Sequence, residues 1–180
     1  RKIHIQEIKV EDTTAPTFNG TLPVDVTVEC DLVPVAETLT AEDNCGTATV
    51  VFTETREDGS CDSAYVLTRT WTATADCGLE TIHIQEITVE DTTAPTFNGT
   101  LPVDVTVECD LVPVAETLTA EDNCGTATVV FAETREDGSC DSAYVLTRTW
   151  TATDDCGLET IHIQEITVED TTAPTFNDTC

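Results

Sequence analysis

An all-β fold, built of tandem antiparallel sandwich domains, is predicted by three features of the sequence. Apolar and polar residues alternate at period two along most of the chain, and no segment has a convincing helical period. The stretch VEDTTAPTFN occurs three times, at 10–19, 89–98 and 168–177. Each repeat of the sequence carries four cysteines and the chain has no methionine, a composition that fits small, loop-rich modules stapled by two disulfides each in an oxidising compartment.

The repeat sets the domain organisation. Residues 12–90 and 91–169 align without a gap and differ only at Thr53/Ala132 and Ala75/Asp154. Residues 1–11 match the end of a preceding unit, with Lys9 where later copies have Thr88 and Thr167, and are expected to be its closing strand. Residues 170–180 begin a following unit, with Cys180 where the earlier copies have Leu22 and Leu101. The chain therefore reads as two whole domains cut from a longer array, whose homologous faces must tolerate one another.

Within one unit the elements follow in order. Val24, Val26 and Val28 alternate with Asp25, Thr27 and Glu29, the pattern of a half-buried strand. Val33, Val35, Leu39 and Ala41 predict a second strand, with Pro34 near its start where a ladder donor is dispensable. Ala48, Val50 and Phe52 mark a third. After the Glu57-Asp58-Gly59 turn, Tyr65, Leu67, Trp71 and Ala73 share one phase of a long Thr-rich strand, which makes Trp71 and Trp150 core residues. Arg69 shares that phase and is expected at the sheet edge or capping an acid. In LETIHIQEITVE, Ile82 and Ile84 occupy one phase and Ile87 and Val89 the other, which predicts a bulge at Gln85-Glu86. His4, His83 and His162 are expected as exposed strand residues. Short strands and regular turns in a unit this size imply an immunoglobulin-type sandwich.

The residues at this point carry a resemblance. TWTATADCGLETIHIQEITVEDTTAP resembles the closing hairpin and linker of hyalin-repeat (HYR-like) domains, and LTAEDNCGTATVVF resembles their middle strands. Long cysteine-containing arrays of this kind are typical of giant surface adhesins of Bacteroidota, including gliding-motility adhesins of SprB type. The resemblance covers the whole unit. It implies a secreted, cell-surface stalk module and supplies no catalytic residue.

The sandwich topology chooses among the three possible cysteine connectivities. The first strand ends at Cys30, the second delivers Cys45 back to the linker end, the third leads to Cys61 at the far end, and the fourth returns to Cys77. This predicts Cys30–Cys61 and Cys45–Cys77, with Cys109–Cys140 and Cys124–Cys156 in the second unit. The zinc alternative is weak, because no CxxC pair exists.

The same topology gathers acidic residues at the linker end. They are Glu11, Asp12, Glu42, Asp43, Asn44 and Asp76, and in the second unit Glu90, Asp91, Glu121, Asp122, Asn123 and Asp155, with Asp154 added where the first has Ala75. Hard oxygen ligands converging at a domain junction suit Ca²⁺, which takes 6–8 oxygens in irregular geometry. The linker is also similar to that of cadherins, with Ala15-Pro16 and Phe18 in place; Thr13-Thr14 stand where that pattern has Asp-Asn. The competing reading is that the acids solvate the pole while Pro16 stiffens the linker. Asn19-Gly20-Thr21, Asn98-Gly99-Thr100 and Asn177-Asp178-Thr179 fit the N-glycosylation sequon. Thr13, Ser63, Thr92 and Ser142 sit in Asp-Ser/Thr-small contexts like those of Bacteroidota O-glycosylation, against a reading as ordinary turn hydroxyls.

A formal charge of −28 argues against nucleic acid or an anionic membrane as partner. No apolar run approaches a membrane span, so no membrane insertion is expected in this segment. No nucleophile stands beside a base, so no enzyme is expected. The expectation is a non-catalytic extracellular stalk serving adhesion or surface motility, with neighbouring repeats of the same chain as partners. The alternatives are a self-assembling filament joined by strand addition and a module binding surface polysaccharide.

Overall fold

The computed structural model describes residues 2–175 and divides the chain into two compact units, Arg1–Glu90 and Asp91–Cys180. The Asn177-Asp178-Thr179 sequon and Cys180 lie outside the described residues. Each unit is all-β. The first contains β1 (Thr17–Phe18), β2 (Val26–Glu29), β3 (Ala41–Glu42), β4 (Ala48–Asp58), β5 (Tyr65–Ala75) and β6 (Glu80–Glu90). The second repeats them as β7 (Thr96–Phe97), β8 (Val105–Glu108), β9 (Ala120–Glu121), β10 (Thr128–Asp137), β11 (Tyr144–Thr153) and β12 (Glu159–Glu169).

A four-stranded sheet in the order β2-β6-β5-β4 forms one layer of the first unit, and the β1-β3 pair contributes to the other. The sheet is antiparallel except at β2, which runs parallel to β6 with Val26 opposite Ile87 and Glu29 opposite Glu90. The prediction of an antiparallel sandwich thus needs one amendment. A first strand that hydrogen-bonds to the last strand of its own unit, with every turn between them reversing direction, ends up parallel to it. The strands β2 and β4 are the edges of the sheet, and β4 is the longer. It is paired only with β5 and is exposed from Val51 to Asp58.

The expected alternation is clearest in β5, where Leu67, Arg69, Trp71, Ala73 and Ala75 are all buried. Trp71 is 1% exposed, and it lies on one rung between Phe52 and His83, with ring centroids 5.2 and 5.8 Å away. Leu67, Ile87 and Val89 form an apolar cluster at the other end, against Val26, Val28, Val33 and Tyr65.

Three expectations are corrected in β6 and β5. Pairing between them runs unbroken through Arg69–Gln85 and Thr68–Glu86, so there is no bulge at Gln85-Glu86. The inward positions are instead Thr81, His83, Gln85, Ile87 and Val89, and Ile82 is turned outward, 57% exposed. His83 is accordingly half-buried, and its Nε2 donates to Pro23 O at 2.8 Å. Arg69 is buried on the central strand rather than at the sheet edge; it does cap an acid, Glu54.

Polar side chains point inward because the chain covering this face offers carbonyls. Residues 33–40 form no ladder, so the predicted second strand shrinks to β3. Arg69 Nη2 donates to Pro34 O at 2.8 Å, and Trp71 Nε1 to Glu37 O at 3.0 Å. Thr81 Oγ1 donates to Pro16 O at 2.6 Å, and Gln85 Nε2 to Val24 O at 2.7 Å. A covering segment containing Pro16, Pro23 and Pro34 is short of N–H donors, and the sheet supplies them from its side chains. The second unit repeats these contacts through Arg148, Trp150, His162 and Gln164.

Residues 2–10, expected as a closing strand, are exposed and pair with no strand among the described residues. Their sequence matches β6, but a strand needs neighbours to satisfy its backbone groups, and the strands that flank β6 belong to its own unit.

Candidate functional site

The end of each unit where β5 turns into β6 carries the acids singled out in the sequence. The turn itself is set by Gly78, which has φ +82°, a left-handed conformation that residues with a Cβ rarely adopt. Its counterpart in the second unit is Gly157.

The acids divide into two groups by what their oxygens touch. Asp76 holds the neighbouring turn: Thr47 N donates to it at 3.1 Å and Thr47 Oγ1 at 2.9 Å. Those two donors keep the Asp76 carboxyl below its ordinary value. Asp155 is held in the same way by Thr126. Glu11 pairs with Lys9 at the surface. Glu42 and Glu121 face solvent on β3 and β9, and Glu90 is exposed at the end of β6. Asn44 and Asn123 direct their amides to the adjacent cysteine sulfurs, each at 3.2 Å. These residues build the corner.

The second group converges. In the second unit Asp91, Asp122 and Asp154 each offer a carboxylate oxygen within 4.8 Å of the other two. Asp154 is 7% exposed, and its Oδ1 accepts hydrogen bonds from Cys156 N at 2.8 Å and Leu158 N at 2.9 Å. Its Oδ2 is buried without a partner. Asp122 Oδ2 accepts from Cys124 N at 2.7 Å, while its Oδ1 is likewise buried and unpartnered.

The first unit has two members of this group and lacks the third. Asp43 Oδ2 accepts from Cys45 N at 2.9 Å, and Asp43 Oδ1 is buried without a partner. Asp12 Oδ1 accepts from Thr14 N at 3.1 Å. Ala75 takes the place of Asp154, and among the described residues no three-ligand group is built from the first unit alone.

The cysteines occupy the ends expected of them, Cys30 after β2 and Cys61 in the β4–β5 connection, Cys45 and Cys77 in the turns at the opposite end. Cys30, Cys61, Cys124 and Cys156 are disulfide-bonded. Cys45, Cys77, Cys109 and Cys140 are exposed thiols, so the expected pairs Cys45–Cys77 and Cys109–Cys140 are reduced here. Homologous positions therefore differ between the units, although the β2–β6 register is repeated in β8–β12. Partial desolvation and then the Asp12 and Asp43 carboxylates raise the Cys45 thiol above its ordinary value.

Of the glycosylation candidates, Thr13 and Thr92 are exposed and Ser142 is half-buried. Ser63 is 5% exposed, so a glycan there requires its loop to open.

One feature escaped sequence reasoning: the side-chain extension of the β2–β6 pair. Ahead of the ladder at Val26–Glu29, the carbonyls of Pro23 and Val24 are held by His83 and Gln85, and Asp25 Oδ1 accepts from Glu86 N at 2.8 Å. Seven consecutive residues, 23–29, are thereby tied to β6. The second unit has the same arrangement through Asp104 and Glu165. Alternating His and Gln on β6 is the only sequence signal for it.

No protein-family model matches the chain, and no curated protein does. Among solved structures it is similar to Drosophila N-cadherin EC1-4, at 12% identity and a TM-score of 0.34, covering 87% of this chain and 50% of that one. Human mucin-like protocadherin EC1-2 is similar at 14% identity and a TM-score of 0.34, covering 86% of this chain and 98% of that one. For the human desmocollin-1 ectodomain the values are 12%, 0.31, 88% and 42%. Identities and scores this low do not make the chain a cadherin.

Proposed function

We propose that the two units are non-catalytic, force-carrying modules of an extracellular stalk, of the kind found in hyalin-repeat adhesins of bacterial surfaces. The observation that supports this is the parallel β2–β6 clamp. The chain enters a unit ahead of β2 and leaves it after β6. Tension draws β2 toward its N-terminal end and β6 toward its C-terminal end. Two parallel strands pulled this way slide along one another, so the rungs between 23–29 and 83–90 must fail together rather than one at a time. An isolated hydrogen bond contributes only about 1 kcal/mol; loading seven residues' worth at once raises the barrier without a larger core. By contrast the β1–β3 pair is two residues long and gives little resistance.

The acidic surface suits a repeated module that must not stick to itself or to anionic polymers. Bonded cysteines fit an oxidising, extracellular setting. Adhesion or surface motility is then a property of whatever the stalk presents.

Single-molecule stretching of the chain tests this. Wild-type repeats are expected to unfold in separate events at high force, and the double variant Asp25→Ala/Gln85→Ala to lower the force of one event only. Unfolding forces unchanged by that variant, with chemical stability also unchanged, would sink the clamp as the origin of resistance.

A further inference from the structure

The two units differ at only two positions, and one of them lies in the converging carboxylate group. We propose that Asp91, Asp122 and Asp154 form a Ca²⁺ site belonging to the second repeat, and that Ala75 denies the first repeat its counterpart. The array would then contain two kinds of repeat, one that holds an ion and one that does not. This inference stands independently of the stalk reading.

The carboxylates of this group carry unsatisfied charge. A buried carboxylate oxygen without a donor is strongly unfavourable, because it has lost its hydration and gained no partner. The second repeat places two of them together, Asp122 Oδ1 and Asp154 Oδ2, beside a third carboxylate from Asp91. Among the described residues no Lys, Arg or His forms an ion pair with Asp122 or Asp154. Asp154 is more than nine-tenths buried, and two backbone N–H groups fix its other oxygen, so the free one cannot rotate out to solvent without breaking them. A divalent cation is the partner that neutralises three oxygens at once.

The donor set selects the ion. Three carboxylates with no imidazole, and with Cys124 committed to a disulfide, lack the thiolate and imidazole ligands that dominate protein zinc sites. A fixed and irregular oxygen set, completed by carbonyls or water, fits Ca²⁺ better than the strict octahedron of Mg²⁺.

The first repeat is a natural control. Ala75 N donates to Leu79 O at 2.9 Å, as Asp154 N does to Leu158 O at 3.1 Å, so the turn is the same and only the side chain differs. Asp43 keeps its unpartnered oxygen, and Asp12 accepts from Thr14 N. Two carboxylates remain where three are needed.

Calorimetric titration of the whole 180-residue chain with CaCl₂ tests the assignment, with melting curves as a second readout. Wild type is expected to bind one ion at this site and to raise the melting temperature of one repeat. Asp154→Ala is expected to weaken binding at least 100-fold while folding normally, because the first repeat already carries Ala at that position. Ala75→Asp is expected to add a second equivalent of Ca²⁺. The proposal is overturned if Ca²⁺ does not bind at millimolar concentration, if Asp154→Ala binds like wild type, if Ala75→Asp leaves the stoichiometry unchanged, or if Mg²⁺ binds as tightly as Ca²⁺.

Discussion

The ion pair between buried Arg69 and exposed Glu54 predicts an asymmetry between its two single variants. Arg69 Nε donates to Glu54 Oε2 at 2.7 Å, and Nη2 donates to Pro34 O at 2.8 Å. The arginine side chain is 6% exposed and the glutamate side chain 37%. Removing Glu54 leaves a buried guanidinium with one carbonyl for company. Removing one partner of a buried pair is destabilising by about 3–5 kcal/mol, and water reaching the vacated glutamate position brings Glu54→Ala to the low end, about 3 kcal/mol. In Arg69→Met the buried charge itself is gone and the methionine refills most of the space. Glu54 can turn to solvent, and the remaining loss is the donor to Pro34 O, about 1–2 kcal/mol. For a domain of this size each kcal/mol moves the melting temperature by about 4–8 °C. Calorimetry of the whole chain should show one repeat melting about 15 °C early in Glu54→Ala and about 8 °C early in Arg69→Met, with the untouched repeat as internal reference. A larger loss in Arg69→Met than in Glu54→Ala would refute the reasoning, since it would mean that the carbonyl bond and packing matter more than the stranded charge.

Two further outcomes follow from the turns. Gly78→Ala is expected to destabilise by about 1 kcal/mol, because open space surrounds the new Cβ and only the left-handed φ is unfavourable; Gly78→Asn should recover part of this, as a midpoint shift in urea will show. Gly59→Ala is expected to be worse, about 2–3 kcal/mol, since its Cβ would lie 2.5 Å from Ala64 O in a closed turn. The depressed Asp76 carboxyl gives stability that is present above its ordinary value of 3.8 and lost as pH falls through the lower folded value. Glu108, lowered by Thr171, adds in the same direction. The urea midpoint measured between pH 5 and pH 2 should therefore fall, and fall less steeply in Asp76→Asn.

The long strand β5 was legible because its inward residues, Leu67, Trp71, Ala73 and Ala75, are apolar in one phase. The strand β6 misleads for a physical reason: its inward positions include Thr81, His83 and Gln85, which satisfy carbonyls of a proline-containing covering segment, while Ile82 and Ile84 face outward. Hydrophobicity reports burial only where the opposing surface is itself apolar. The same limit applies to the acids. Asp154 and Asp155 are adjacent in sequence, yet one enters a carboxylate group and the other holds Thr126. Both follow the last residue of β11, Thr153, and enter the turn toward β12, where no period-two pattern assigns a side chain to a face, so composition alone cannot say which of them is a ligand. The poles of the cysteines followed from counting strand reversals. Their oxidation states did not, because homologous cysteines carry different ones in two units that differ at two positions.

The bare edge at β4 bears on how such a chain folds at all. Adjacent repeats that differ at two positions can exchange strands with each other as readily as they find their own, a known failure of repeat proteins during synthesis. The exposed half of β4 reads TETRED, with three acids and an arginine, and its homologue on β10 reads AETRED. When one such edge approaches another, like charges meet before backbone groups can pair. What looks like an unfinished sheet thus sorts each strand to its own repeat, and near-identity becomes tolerable along an array.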